Sequence, residues 1–139
     1  MNKHLVFVYG TLRRGGVRAM PDLFPGSKFI GGASVRGSLY DMGEYPGLLL
    51  DESDTPVVGE VYEVDDETLG KLDDIEASAY YLRRRVEVSA GEQSMTCWVY
   101  VYDPEFYPRP VLIASGDWIE YERAKAGRPE DERPGEAKS

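Results

Sequence analysis

Glu76 stands where a carboxylate is costly. In the stretch 65–76 the apolar residues Leu69 and Leu72 lie three apart and Glu76 follows Leu72 by four, so on a helix all three share one stripe. Asp73, four positions after Leu69, shares that face, while Asp74 and Lys71 are expected in water. A carboxylate taken out of water has to be paired or put to use. Two readings are open. In the first, Glu76 forms an ion pair with one of Arg83, Arg84 and Arg85, a run that sends at least one guanidinium to each face of its strand. In the second it looks into a cavity with little positive charge, where a carboxyl titrates nearer neutrality and works as a general acid or base.

The other chemical feature is the segment Tyr9-Gly10-Thr11-Leu12, which ends a strand-like apolar run beginning at Leu5. Glycine lets the backbone turn sharply there, and successive N–H groups in such a turn converge on one anion. The residues that follow, Arg13-Arg14-Gly15-Gly16, carry neither the Gly-Lys-Ser/Thr ending of a nucleotide P-loop nor the glycine spacing of a dinucleotide site. A carboxylate therefore fits as well as a phosphate, and a plain tight turn after an edge strand is the alternative. Tyrosines gather near the ends of the strand-like runs; most belong to sheet packing, and one or two can offer hydroxyls to a pocket. Tyr45-Pro46-Gly47-Leu48 reads as a turn between strands or as the rim of a pocket.

Composition narrows the chemistry. A net charge of −9 over 139 residues disfavours nucleic acid and acidic membranes as partners, because their phosphates reward the opposite sign. Cys97 is the only cysteine and His4 the only histidine, so an internal disulfide, a cysteine-rich metal site and a Ser/Cys-His triad are all poor hypotheses. Cys97 lies in a strand-like run and reads as a buried structural thiol; His4 reads as an exposed residue at a strand start. A reducing, cytoplasmic setting is the simplest reading of that cysteine usage. No apolar run has the length of a membrane span, and the N-terminus lacks the plan of a signal peptide.

These residues must be positioned by a sheet. Runs at 5–9, 34–40, 57–64, 81–88 and 96–102 are β-branched and aromatic, and the Ser89-Ala90-Gly91-Glu92 segment joins the last two as an antiparallel hairpin. Asp65 is placed to cap a helix through Glu76, with Asp66 and Glu67 in its first turn. Ser115-Gly116-Asp117 opens a second helix, 118–126, with Gly127 as its stop. One domain, 1–127, is expected, followed by a flexible charged tail, 128–139, too poor in bulky apolar residues to join a core.

With these pieces in order the chain resembles the γ-glutamylcyclotransferase-like family, and looks most like its γ-glutamylamine cyclotransferase branch. The resemblance rests on Val6-Phe7-Val8-Tyr9-Gly10-Thr11-Leu12-Arg13-Arg14-Gly15, Gly59-Glu60-Val61-Tyr62-Glu63-Val64-Asp65, Leu72-Asp73-Asp74-Ile75-Glu76 with Tyr81-Leu82-Arg83, and Trp98-Val99-Tyr100-Val101-Tyr102. It implies an α+β fold, a small mixed barrel-like sheet flanked by helices. It also implies an enzyme that cyclises a γ-glutamyl amine or amino acid to 5-oxoproline without a metal or other cofactor. In this sequence the implied substrate-binding set is Tyr9, Gly10, Thr11 and Leu12, joined by Tyr45 and Tyr81, with Glu76 as the acid/base. The partner is then a small γ-glutamyl molecule, not nucleic acid or membrane. The segment Ala77-Ser78-Ala79-Tyr80 differs from the longer, often proline-bearing connection of the amine-specific branch, which leaves the departing group open. The rival reading is a binding module without turnover, or a tailoring enzyme acting on a larger γ-glutamyl conjugate.

Overall fold

Along strand β1 (Lys3–Val8) the side chains alternate between two apolar clusters, Phe7 joining one and Val6 and Val8 the other, as the two-residue period of a strand requires. A strand apolar on both faces needs cover on both. In the computed structural model, which describes residues 3–13, 19–43, 45–51, 55–78, 81–105 and 111–126, closure of the sheet supplies half of that cover. Strand β1 pairs antiparallel with β5 (Pro56–Asp65), β5 with β2 (Lys28–Arg36), β2 with β6 (Tyr81–Ala90), and β6 with β7 (Gln93–Tyr102). A parallel contact of β1 with β7, Val6 opposite Trp98, completes a closed five-stranded barrel. Three short antiparallel strands, β3 (Ser38–Asp41), β4 (Pro46–Leu49) and β8 (Val111–Leu112), form a second sheet in the order β4-β3-β8. The fold is the α+β class expected, with a mixed barrel at its centre.

The helices are α1 (Met20–Leu23), α2 (Asp66–Ala77) and α3 (Trp118–Ala126). Helix α2 begins as its sequence dictates: the Asp65 carboxylate accepts the Thr68 amide at 2.8 Å, satisfying a donor that no turn of the helix can reach. It lays Leu69 and Leu72 against Val6, Val8, Val64 and Tyr100, so that set of side chains faces outward from the barrel. The opposite set, including Phe7, Val61, Val88, Cys97 and Val99, fills the interior and is joined by Leu39, Leu48, Ile113 and Trp118. Helix α3 starts where Gly116 takes a left-handed φ of +68°, a turn in which a side chain would also collide with the Pro56 carbonyl. No helix among the described residues is long and apolar enough to cross a membrane.

Several boundaries differ from the sequence-based expectation for physical reasons. The run 34–40 is two strands parted at Gly37, where a Cβ would lie 2.7 Å from the Leu49 carbonyl oxygen and where the chain passes from the barrel to the second sheet. Residues 46–49 are strand β4 and not a turn, held opposite Ser38–Asp41 by the β3 ladder. The 81–102 hairpin is longer than expected, and its connection is only Gly91 and Glu92. His4 is half-buried, not exposed, because its Nε2 lies 2.5 Å from Asp66 Oδ1 in the first turn of α2. Cys97 is buried as expected, and burial pushes its thiol up to about 11. The Gly127 stop, the tail 128–139 and Tyr80 lie outside the described residues.

Candidate active site

The turn that follows β1 is closed by one hydrogen bond, from the Arg13 amide to the Gly10 carbonyl at 3.0 Å. Such a turn engages its first carbonyl and its fourth amide, so it does not consume the N–H groups of Thr11 and Leu12. The Leu12 carbonyl accepts the Met20 amide at 2.8 Å, and the Leu12 side chain is buried under α1 and α2, which fixes the far side of the turn. Glycine is required at position 10 by proximity. A Cβ there would lie 2.4 Å from Pro46 Cγ and 2.7 Å from Pro46 Cδ, so β4 packs directly on the turn.

Tyrosines weld β4 into this corner. The buried Tyr9 hydroxyl donates to the Tyr100 carbonyl at 2.5 Å and accepts the Leu48 amide at 3.2 Å. The Tyr81 hydroxyl donates to the Pro46 carbonyl at 2.7 Å, and its ring meets that of Tyr45 edge-on at 5.9 Å. Of the six residues expected to bind substrate, Tyr9, Gly10, Tyr45 and Tyr81 thus meet around Pro46, with Thr11 and Leu12 continuing the turn. For Tyr9 the expectation changes in kind: its hydroxyl is engaged on both sides by backbone, so its side chain builds the corner.

Helix α2 reaches Tyr100 through Asp73, which lies one turn before Glu76 and accepts the Tyr100 hydroxyl at 2.7 Å. Burial is the largest cause raising the Tyr9 phenol well above its ordinary value, and the Glu76 charge adds to it, partly offset by the Leu48 amide. The Tyr100 phenol is raised likewise by burial, by its 2.7 Å hydrogen bond to Asp73, and by the Asp73 and Glu76 charges, against the opposing charge of Arg83. Both phenols therefore keep their protons throughout the neutral range. Glu76 is half-buried, as its place on the stripe with Leu69 and Leu72 requires. An arginine ion pair on this helix face is made by Asp73, whose Oδ2 lies 3.1 Å from Arg83 Nη1. Arg83 and Arg85 both lie over the Trp98 ring, each 4.3 Å from its centroid, and Arg84 donates to the Arg83 carbonyl.

Sequence reasoning offered Pro46 as part of a turn or a pocket rim but not as the wall behind Gly10, and it did not single out Tyr100, whose phenol the Glu76 charge raises. The signal for Tyr100 was present in the aromatic alternation Trp98, Tyr100, Tyr102; for Pro46 the pocket-rim reading came nearest, but the contact with Gly10 depends on β4 being a strand. Also missed was the network around Arg13, whose Nη1 lies 2.9 Å from Asp117 Oδ1. Among the described residues no group of three His, Cys, Asp or Glu side chains is arranged to hold a metal ion.

Residues 6–120 match the gamma-glutamyl cyclotransferase, AIG2-like family. A Vibrio cholerae relative that carries a gamma-glutamylcyclotransferase family name is 40% identical over 121 residues, 85% of this chain and 97% of its own length. The gamma-L-glutamyl-butirosin B gamma-glutamyl cyclotransferase of Niallia circulans is 37% identical over 126 residues, 84% of this chain and 76% of that protein. The crystal structure of an AIG2-like protein from Mus musculus superposes with a TM-score of 0.71 at 26% identity, covering 100% of this chain and 99% of the mouse one.

Proposed function

We infer the reaction from membership: this chain belongs to the gamma-glutamyl cyclotransferase, AIG2-like family and is an enzyme of that general type. We propose that it cyclises a γ-glutamyl amine or γ-glutamyl amino acid to 5-oxoproline, releasing the amine or amino acid. The α-amine of the glutamyl group attacks its own γ-carbonyl carbon, a new C–N bond closes the five-membered ring, and the bond to the departing nitrogen breaks. Glu76 accepts one ammonium proton, which frees the amine to attack, and hands it to the departing nitrogen as that bond breaks; the second proton, left on the ring nitrogen by the attack, passes through the same carboxyl to the released amine, so a single carboxyl balances the reaction. The Thr11 and Leu12 amides hold the α-carboxylate, folding the substrate so that amine and carbonyl meet. Such fixed geometry lowers the barrier by up to about 7–11 kcal/mol in favourable intramolecular cases. Neither water nor a cofactor enters the balance, and a reducing cytoplasmic setting goes with the single buried cysteine.

The observation that carries this reading is geometric: Asp73, one turn before Glu76 on α2, accepts the Tyr100 hydroxyl at 2.7 Å, and the Tyr100 carbonyl accepts the hydroxyl of Tyr9, the residue that leads directly into the Gly10 turn. An acid/base and an anion-holding turn within one small substrate's length are what the cyclisation needs. The kinship with the butirosin B enzyme supports a second reading, in which the γ-glutamyl group is carried on a larger conjugate. A panel of γ-glutamyl amines, γ-glutamyl amino acids, glutathione and a γ-glutamyl conjugate of larger size, assayed for 5-oxoproline, separates these. Release from at least one member is expected; saturable binding without release would instead make the protein a binding module.

A further inference from the structure

Arg13 closes the turn with its amide, yet its charge is turned away from solvent and neutralised inside the protein. Its side chain is only 11% exposed. Nη1 lies 2.9 Å from Asp117 Oδ1, across 104 residues of sequence, and Nε lies 3.8 Å from Glu60 Oε2 on β5. That distance is too long for a hydrogen bond, and Nε is buried with no acceptor among the described residues. Both carboxylates are themselves engaged. Asp117 Oδ1 also accepts the Glu120 amide at 3.1 Å, capping α3, while Glu60 Oε1 accepts the Tyr62 hydroxyl at 3.1 Å.

A buried ion pair with an unmet donor adds little stability over an apolar side chain of the same size. What it supplies is a fixed direction, because a guanidinium set between two carboxylates tolerates few orientations. Here the fixed residue is the fourth of the turn, the one whose amide bonds the Gly10 carbonyl. Between those two ends lie the Thr11 and Leu12 amides, whose aim decides whether they converge on one carboxylate. The charge of Arg13 is opposed by Asp117 and Glu60.

We propose that Arg13 is a positioning residue, anchored by Asp117 and Glu60, that holds the Gly10–Arg13 turn in the geometry that binds the substrate's α-carboxylate. The catalytic part of this inference rests on the reading given under Proposed function; the ordering of the turn does not. Helix α3 thereby becomes part of the site without touching substrate.

Three variants test it: R13M removes the charge, R13K keeps it without the planar fork, and D117N keeps an acceptor that caps α3 while losing the ion pair. Two amides report the order of the turn without any ligand, that of residue 13, which bonds the Gly10 carbonyl, and that of Met20, which bonds the Leu12 carbonyl. In R13M and D117N both should exchange with solvent at least about tenfold faster than in the parent while barrel amides keep their protection. KM for the γ-glutamyl substrate should rise about tenfold or more with kcat within about threefold, and R13K should recover part of the loss. Unchanged exchange and KM in D117N would overturn the proposal, as would losses in kcat with KM intact. If R13M fails to fold, R13K and D117N decide the matter. If the parent protein releases no 5-oxoproline from any substrate, the proposed activity falls, and exchange at residue 13 and Met20 alone decides the role of Arg13.

Discussion

A methyl group on Gly10 would lie 2.4 Å from Pro46 Cγ, and Pro46 cannot retreat easily because its carbonyl is held by Tyr81. Gly10→Ala should therefore destabilise the protein by about 1–3 kcal/mol, the usual cost of overpacking, and weaken ligand binding as the turn is pushed away. Urea unfolding checks the first part; a midpoint equal to that of the parent would contradict the contact. The sequence marks position 10 as special but offers the wrong reason. A glycine after a strand reads as a need to turn, whereas the structure requires it for an approach between residues 36 positions apart, which no local pattern encodes. Glu76 is the opposite case. Its place on the Leu69 and Leu72 stripe is local and legible, and only its neighbours, the phenols of Tyr9 and Tyr100, had to be seen in three dimensions.

Helix α2 carries Glu76, and Leu72, fully buried against the outer face of the barrel, is what seats it. Leu72→Ala should cost about 2–5 kcal/mol in urea unfolding, and a loss well below that range would mean the helix is held some other way. Helix α3 depends on a charge. Burial disfavours the Asp117 carboxylate, but the Glu120 amide, the Arg13 guanidinium and the Ile119 amide outweigh it and hold its carboxyl below the usual range. A carboxyl depressed in the folded state adds stability that is complete above its unfolded value, about 3.9, and is lost as pH falls through the folded one. Thermal melts taken from neutral pH into acid should thus show a shallower acid decline for Asp117→Asn than for the parent; parallel curves would contradict the assignment. The long strands β5, β6 and β7 and both longer helices were legible because each carries its own period or cap. Strand β4, strand β8 and the single turn α1 were not, being short and held by partners distant in sequence, as β4 is by β3 and by the tyrosine hydroxyls.

Taken whole, the molecule is a barrel whose parallel seam, β1 beside β7, brings the end of the first strand next to Tyr100, whose hydroxyl bonds Asp73 on α2. Residues 128–139 include no bulky apolar side chain, so ending the chain at Gly127 should leave the melting temperature and any activity nearly unchanged. A marked fall on truncation would show that the segment docks. The resemblance of ordered motifs made the family and the fold class legible from sequence; the wall formed by Pro46 and the Arg13 anchor were not, because both are contacts between distant segments with no spacing of their own. The reading as a whole turns on Glu76, and the most direct measurement is 5-oxoproline release by Glu76→Gln, a nearly isosteric change that keeps a hydrogen-bonding side chain but cannot take up the ammonium proton. Asp73→Asn, one turn earlier on the same face and tied to Arg83 and Tyr100, is its matched control. With both variants folded by their melting curves, release should fall at least about a hundredfold in Glu76→Gln and far less in Asp73→Asn; full release by Glu76→Gln, or equal losses in the two, would contradict the assignment of Glu76 as the acid/base.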